Sequence, residues 1–93
     1  MKDLDPLLHN QLRLSIMSLL VANDEITFTY VVEKTGASRG NISVQISKLE
    51  EASYLTVSKE FVDKKPQTSM RITKKGLEAM DTYTLTLKEY LNI

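Results

Sequence analysis

The chain has 93 residues and no formal net charge at pH 7, and 42% of its residues are hydrophobic. This length fits one domain with a small core, because a domain of this size buries only about 60% of the surface of its unfolded chain. The absence of cysteine excludes disulfides, thiol catalysis and most structural zinc sites. No apolar stretch approaches the roughly 20 residues of a membrane span, and the acidic N-terminus is unlike a signal peptide, so a cytoplasmic protein is expected.

The neutral total conceals an uneven distribution of charge. Between Ala37 and Lys75 eight basic residues stand against four acidic ones, and the rest of the chain has the opposite imbalance. A basic middle with acidic flanks is typical of a protein that presents one surface to a polyanion, although ordinary solvated surfaces also show it.

The first predicted element is a helix over residues 5–22. Asp5 is a favourable N-cap residue, Pro6 suits the first helical position, and apolar side chains then recur at helical spacing. They cover most of the circumference, which indicates a helix enclosed on several sides. In so small a protein, the second apolar face is predicted to contact another subunit.

A polar turn over residues 22–25 leads to a second, shorter helix. Ile26 is predicted to form a very short strand, and Thr27 is predicted to cap a helix over residues 28–34. Gly36 then stands where a left-handed residue commonly ends a helix.

The third helix is predicted over residues 39–52, with Ser38 as its N-cap residue. Two helices separated by a tight glycine-containing turn form a helix-turn-helix. Ile42, Ile46 and Leu49 are spaced four and three apart and are predicted to face inward. The outward surface carries short donors and acceptors, and acidic residues return only at its C-terminal end, which leaves the N-terminal end free for a phosphate.

The next segment alternates in polarity on both sides of a turn. Strands are predicted over residues 54–62 and 68–72, joined as a hairpin by a basic, proline-containing turn over residues 63–67. Thr73 is then predicted to cap a final helix over residues 74–91. The order of helix, helix, helix, hairpin and helix indicates a mainly α-helical domain with a small β-hairpin.

Two segments of this order resemble winged helix-turn-helix regulators of the MarR type, and more distantly of the ArsR type. Residues 38–52, SRGNISVQISKLEEA, resemble their recognition helix, and residues 66–76, PQTSMRITKKG, resemble the second wing strand entering the last helix. The resemblance covers nearly the whole chain and is closest to short regulators without a separate effector domain. It implies a single winged-helix domain over residues 1–93 that binds double-stranded DNA sequence-specifically as a homodimeric transcriptional regulator, with repression as the expected effect.

The chain departs from this family pattern at two positions. Ser53 follows the recognition helix where the family usually has glycine, and a left-handed conformation costs serine more than glycine. Gln67 stands where the wing often has arginine, which predicts a weaker grip of this wing on DNA.

A recognition helix in the major groove reads bases by hydrogen bonds and by contacts with thymine methyl groups. Gln45 and, one turn earlier, Asn41 are predicted to contact adenine, and Val44 to contact a thymine methyl group. Arg39 suits a phosphate or guanine, and Lys48 suits the DNA backbone. The complete predicted set on this helix is Ser38, Arg39, Asn41, Ser43, Val44, Gln45 and Lys48. Each of these side chains can alternatively belong to an ordinary solvated surface.

The hairpin is predicted to contact the DNA backbone or the minor groove. Its predicted contacts are Lys59, Lys64, Lys65, Gln67 and Arg71. Phosphate contacts are expected to supply most of the affinity, which then falls with salt concentration, whereas base contacts supply specificity. A lysine-rich turn can also be merely solvated.

The last helix carries an apolar seam with alternating spacings of three and four, which is the a/d pattern of a short coiled coil. The seam residues are Leu77, Met80, Thr84, Leu87 and Leu91. This seam can pack on the first helix of its own chain or on a second subunit, and both are predicted because the first helix has two apolar faces. Residues 5–22, through Leu7, Leu14 and Met17, and residues 74–91 are therefore predicted to form a homodimer interface. A two-fold dimer is expected to bind a pseudo-palindromic site with half-sites about one helical turn apart.

Other functions have weaker support in the sequence. An enzyme, a metal and a cofactor are not expected, because His9 is the sole histidine and neither a glycine-rich phosphate loop nor a metal-ligand spacing is present. The main competitor is a protein-interaction module, since winged helices also serve in assemblies that do not bind DNA. Such a module would carry apolar or acidic side chains on its third helix, where this chain is polar. An effector cleft at the dimer interface, lined by Tyr30, Tyr83 and Tyr90, is a further alternative, although tyrosines more often pack.

Overall fold

A computed structural model describes all 93 residues of the chain. Four helices surround one end of a three-stranded antiparallel sheet, which confirms the predicted fold class. The elements in chain order are α1 (Gln11–Ala22), β1 (Ile26–Thr27), α2 (Phe28–Thr35), α3 (Arg39–Glu51), β2 (Leu55–Val62), β3 (Lys65–Ile72) and α4 (Lys74–Leu91). None of these helices combines the length and the apolar character that crossing a membrane requires.

The first helix begins later than predicted. Asp5 does act as a cap, but of a separate turn, in which its carbonyl accepts hydrogen bonds from the amides of residues 8 and 9. Asn10 is extended, with φ −151°, and therefore separates this turn from α1. Its side chain accepts a hydrogen bond of 3.0 Å from the amide of Arg13, so α1 has its own N-cap and starts at Gln11.

The helix-turn-helix forms as predicted. Thr27 and Ser38 cap α2 and α3, each accepting a hydrogen bond from the backbone amide three residues later. Gly36 ends α2 in the left-handed conformation, with φ 70°. These local interactions bring the two helices together around a short turn.

The end of α3 is a Schellman motif centred on Ser53, which has φ 63°. The Ser53 amide donates to the carbonyl of Glu50, and the Tyr54 amide donates to the carbonyl of Leu49, both at 2.9 Å. Serine thus adopts at this position the left-handed conformation for which glycine is usual. The orientation of the segment that leads into β2 follows from this motif.

The hairpin is the larger part of the sheet, whose strand order is β1-β3-β2. β2 and β3 pair over eight residues each, from Leu55 opposite Ile72 to Val62 opposite Lys65. β1 pairs only with the inner end of β3, at residues 69 and 70. The outer half of the hairpin therefore has no third strand, and residues 58–66 are all exposed.

The hairpin turn is shorter than predicted. Asp63 and Lys64 alone form it, with φ of 52° and 66°, and positive values at both positions are those of a type I′ turn. This turn is favoured because its twist matches the right-handed twist of the strands. Pro66, which predicted a longer turn, instead pairs with Phe61 inside the hairpin. Proline fits there because β1 does not reach this level, so no neighbouring strand needs the missing N–H.

The hydrophobic core lies between the helices and the inner end of the sheet. The inward residues predicted for α3, Ile42, Ile46 and Leu49, all belong to it and are at most 6% exposed. Burial of each such side chain stabilises the fold by roughly 1.5–3 kcal/mol relative to exposure. The twelve core residues are Leu8, Ile16, Met17, Leu20, Ile26, Val31, Ile42, Ile46, Leu49, Leu55, Met70 and Tyr83.

Candidate nucleic-acid interface

The outward face of α3 is open to solvent along its length. Of the seven DNA contacts predicted for α3 and its N-cap residue, six are exposed and Gln45 is half-buried. Val44 is 51% exposed and is the only large apolar side chain on this face. Within α3 no acidic residue precedes Glu50, so the face combines neutral hydrogen-bonding groups with the positive charges of Arg39 and Lys48.

Arg39 is held at the beginning of α3 by the preceding helix. Its guanidinium carbon lies 5.1 Å from the centre of the Phe28 ring, within the range of a cation–π interaction. Ser38 occupies only one of the free amide groups at this helix end, and no acid lies in the first turn. A cation beside free amides and the positive end of a helix dipole favours a bound anion such as a phosphate.

Gln45 is part of a hydrogen-bonded chain that joins two helices. Its Oε1 accepts a hydrogen bond from Nη1 of Arg13 on α1 at 2.5 Å, and its Nε2 donates to Oδ1 of Asn41 at 2.9 Å. The Nε of Arg13 donates in turn to the carbonyl oxygen of Leu7 at 2.6 Å. The structure thus connects two predicted base-reading residues to a residue that sequence reasoning missed. The sequence contains one indication of such a role, because Arg13 is the only charged residue of α1.

The lysines predicted for the wing are brought together, whereas Arg71 is not. Lys59, Lys64 and Lys65 all lie on the exposed outer half of the hairpin. Arg71 lies near the inner end of β3 and forms an ion pair of 2.9 Å with Glu25, which occupies part of its donor capacity. Gln67 is half-buried at the boundary between the two halves.

The tip of the wing also carries an exposed apolar surface. The sequence predicted a strand there but did not indicate this surface. Phe61 is 80% exposed, and Val62 beside it is exposed as well. Pro66 lies across from Phe61 and is exposed too. The outer hairpin therefore combines three lysines and two acidic residues, Glu60 and Asp63, with a small apolar surface.

The apolar seam of α4 is accessible at several positions. Leu77 and Leu91 are exposed, and Leu77 lines an open groove with Met80, Thr84 and Val21 of α1. The face of α4 next to the seam is buried against the body of the chain through Gly76, Tyr83 and Thr86, and the seam residues Met80 and Leu87 also pack partly against the core. α4 therefore has one face inside its own subunit and a second face that is partly apolar and free.

The predicted contribution of α1 to this seam needs correction. Met17 is completely buried in the core, so it has no accessible surface for a second subunit to contact. Leu7 and Leu14 are half-buried and pack against the same core. Val21, at the C-terminal end of α1, is instead the exposed apolar residue beside the α4 seam.

The three tyrosines suggested as an effector cleft have separate surroundings. Tyr83 is buried, and its hydroxyl lies 3.1 Å from Nδ1 of His9. The Tyr90 hydroxyl donates to the carbonyl of Lys2, and the Tyr30 ring lies below the ammonium group of Lys34. These contacts are packing interactions at different places in the subunit, so the tyrosines do not form one cleft within it.

A fourth tyrosine joins the N-terminal turn to the end of α3. The hydroxyl of Tyr54 donates a hydrogen bond to the carboxylate of Asp5. Burial, together with the hydrogen bond and the negative charge of Asp5, raises the pKa of Tyr54 to about 12. The phenol therefore remains protonated and tethers the segment before α1.

Comparison with known families agrees with this architecture. A family model described as a winged helix DNA-binding domain matches residues 12–91. An uncharacterised protein of Methanocaldococcus jannaschii is 31% identical over 71 residues, which cover 76% of this chain and 77% of that protein.

Solved structures show the same fold. A transcriptional regulator homologue from Pyrococcus horikoshii matches with a TM-score of 0.86 and 27% identity, over 92% of this chain and 85% of that one. PadR of Bacillus subtilis, solved in complex with operator DNA, matches with a TM-score of 0.72 and 15% identity, over 88% of this chain and 58% of that one. These matches confirm the resemblance seen in the sequence. The chain belongs to the winged helix DNA-binding domain family and shares its fold with transcriptional regulators.

Proposed function

We propose that this protein is a homodimeric transcriptional regulator that binds double-stranded DNA sequence-specifically. In this proposal α3 lies in the major groove and the hairpin contacts the backbone or the minor groove. The observation that carries it is the outward face of α3, which is exposed, polar and without an acidic residue before Glu50. A face of this kind suits base edges and phosphates better than the apolar or acidic surface of a protein partner.

Base reading is assigned to the middle of α3. Gln45 keeps one N–H and one oxygen lone pair outside its contacts with Arg13 and Asn41, and adenine presents the complementary pair in the major groove. Val44, exposed one residue earlier, suits the methyl group of thymine. Specificity would therefore arise from these neighbouring side chains, with Asn41 as a second reader.

Contacts with the DNA backbone are assigned to the start of α3 and to the outer half of the hairpin. Arg39, next to the free amides at the start of α3, would bind one phosphate. Lys59, Lys64 and Lys65 on the outer hairpin would bind others, because they are exposed and have no acidic partner in an ion pair. Arg71, which is exposed but forms an ion pair with Glu25, is not included in this backbone-binding set.

The dimer is proposed to form through the free face of α4 and the C-terminal end of α1. Leu77, Leu91 and Val21 are each about half exposed, at 47%, 58% and 51%. Their burial in a two-fold interface would remove apolar surface from water, which a small subunit core leaves uncovered. A two-fold dimer places two copies of α3 on successive turns of one DNA face, so its site is expected to be pseudo-palindromic. Occupation of such a site would act as repression.

Selection of bound fragments from genomic DNA, followed by affinity measurements at several salt concentrations, tests the DNA-binding proposal. The expected result is an enriched motif with two-fold symmetry and an affinity that falls steeply with salt. An absence of both an enriched motif and a salt dependence would overturn the proposal and favour a protein-interaction module.

Light scattering tests the dimer independently of DNA. The expected mass is twice that of one chain, and Leu77→Glu should reduce it to that of one chain. Leu85→Glu provides a matched control, because Leu85 is also an exposed leucine of α4, 57% exposed, but lies outside the seam. A monomeric mass for the unaltered protein, or equal effects of the two substitutions, contradicts the proposed interface.

A further inference from the structure

We propose that Arg13, which lies on α1 and outside the recognition helix, determines the base preference of Gln45 by fixing the orientation of its side-chain amide. This role rests on the DNA binding proposed above. It makes Arg13 a positioning residue, since it acts through Gln45 and needs no contact with a base.

The guanidinium group of Arg13 is itself anchored. Its Nε donates to the carbonyl oxygen of Leu7 at 2.6 Å, and Leu7 belongs to the turn that Asp5 caps. A planar guanidinium with one nitrogen bound to a fixed carbonyl has little freedom to rotate, and the side chain is half-buried. The position of Nη1, which donates to Gln45 at 2.5 Å, is thereby fixed as well.

The chemistry of these groups permits only one orientation of the Gln45 amide. A guanidinium group has donors and no acceptor, so the oxygen of Gln45, and not its NH₂ group, must face Arg13. On the other side, the NH₂ group donates to Oδ1 of Asn41. A half-turn of the amide would place two donors against each other at Arg13 and two oxygens against each other at Asn41. The hydrogen bond from Arg13 would break, whereas the exposed Asn41 amide can itself turn and donate to Gln45, so Arg13 is the group that fixes the order.

A fixed amide has a consequence for base reading. Gln45 offers its remaining N–H donor and its remaining lone-pair acceptor in one fixed order along the groove. This order matches the acceptor and donor of adenine when the base pair is A·T, but not when the pair is reversed to T·A. Without Arg13 the amide can adopt both orders, and this discrimination weakens. The preorganised side chain also loses less conformational freedom when DNA binds.

This role differs measurably from that of a simple cation near the DNA. A lysine or arginine that binds a phosphate changes the affinity for all sequences and the salt dependence alike. A positioning residue changes the preference at one base pair and leaves the other positions and the salt dependence unchanged. Arg13→Lys separates the two roles, because it keeps the charge but removes the planar fork that reaches both Leu7 and Gln45.

The test uses the selected DNA site with single base-pair replacements, and measures the affinity of four proteins: unaltered, Arg13→Lys, Gln45→Ala and the double variant. The position at which Gln45→Ala relaxes the preference identifies the contacted base pair. Arg13→Lys is expected to reduce the preference there by roughly fivefold to tenfold. The double variant is expected to equal Gln45→Ala, because Arg13 acts through Gln45. Lys88→Ala, which removes an exposed cation near the end of α4, should leave the preference unchanged.

A second measurement uses the free protein and does not depend on DNA. In nuclear magnetic resonance spectra the side-chain amide protons of Gln45 should shift on Arg13→Lys, while the backbone amide signals of the core persist. A preference unchanged by Arg13→Lys, or a uniform loss of affinity across all sequences, would overturn this role and leave the proposed DNA binding intact. Failure of the unaltered protein to select any motif would overturn both.

Discussion

The backbone carbonyl of Tyr54 lies so close to Gly76 that a β-carbon at position 76 would clash with the carbonyl oxygen. The amide of Thr73 donates to the same carbonyl at 3.1 Å, and the Thr73 hydroxyl donates to the carbonyl of Ser53 at 2.6 Å. These hydrogen bonds seat the first turn of α4 on the segment that connects α3 to the wing. The helix that carries the proposed dimer seam is thereby tied to the helix proposed to read DNA.

Gly76→Ala is expected to lower the free energy of unfolding by about 3 kcal/mol, because the added methyl group meets backbone that cannot move without breaking the hydrogen bond from Thr73. Urea denaturation measures this change. Gly40→Ala is the matched control, since a β-carbon at that position would meet no atom within 4 Å beyond its chain neighbours and the adjacent backbone of its own helix. Within α3 it should raise the stability by up to about 1 kcal/mol. Similar stabilities for the two variants would refute the close approach.

Ser53→Gly is expected to stabilise the protein by roughly 0.5–1 kcal/mol. Ser53 has φ 63°, and glycine adopts this conformation without the steric penalty of a β-carbon. Ser47→Gly, on the exposed side of α3, is the control and should destabilise, because glycine is unfavourable inside a helix. Thermal unfolding of both variants compares the signs, and a loss of stability for Ser53→Gly would contradict the argument.

The hydrogen bond between Tyr54 and Asp5 predicts a dependence of stability on alkaline pH. Tyrosine in the unfolded chain ionises near pH 10, whereas burial and Asp5 raise the pKa of Tyr54 to about 12 in the folded state. The unfolded state therefore loses its proton first, so this contribution to stability is complete below pH 10 and is lost between pH 10 and 12. Comparison of unfolding free energies with those of Tyr54→Phe isolates the effect from that of the lysines.

Asp5→Asn tests the cause of this shift. It removes the negative charge and the carboxylate acceptor but leaves the burial, so the pKa of Tyr54 should fall and still exceed its ordinary value. The ultraviolet absorbance of the phenolate follows the ionisation directly. An unchanged pKa in this variant would mean that Asp5 does not contribute.

The wing lysines are expected to act on all sequences alike. Replacement of Lys64 and Lys65 by alanine should weaken binding uniformly and reduce the slope of log K against log salt by about 1 for each phosphate that is no longer neutralised. Lys88→Ala again serves as the control, because Lys88 lies on α4. An altered motif with an unchanged salt slope would show that these lysines read bases and do not bind phosphates.

Much of the fold could be predicted because its signals are local. Thr27, Ser38 and Thr73 each cap a helix through an amide three residues later, so the caps depend on neighbours in the chain. The predicted boundaries were wrong where two local signals compete. Asp5 is a good N-cap residue, but so is Asn10. Because Asn10 is extended and caps α1, the helix predicted from Asp5 starts only at Gln11.

The position of the hairpin turn also could not be predicted from local signals. Pro66 is a strong turn signal by itself, yet the turn forms at Asp63 and Lys64 because a two-residue connection matches the twist of the paired strands. That preference depends on the strands as a pair and not on any single residue. The location of β1, which leaves Pro66 without a neighbouring strand, is likewise a property of the assembled sheet.

The winged helix and its polar third-helix face were thus determined by the sequence alone, since periodicity and caps act over a few residues. Only the tertiary structure decided what each side chain contacts. Periodicity indicates that Met17 is buried, but the packing of the subunit shows that its own chain buries it. Arg13 meets Gln45 across a sequence separation of 32 residues, and such a hydrogen bond exists only once the two helices have packed.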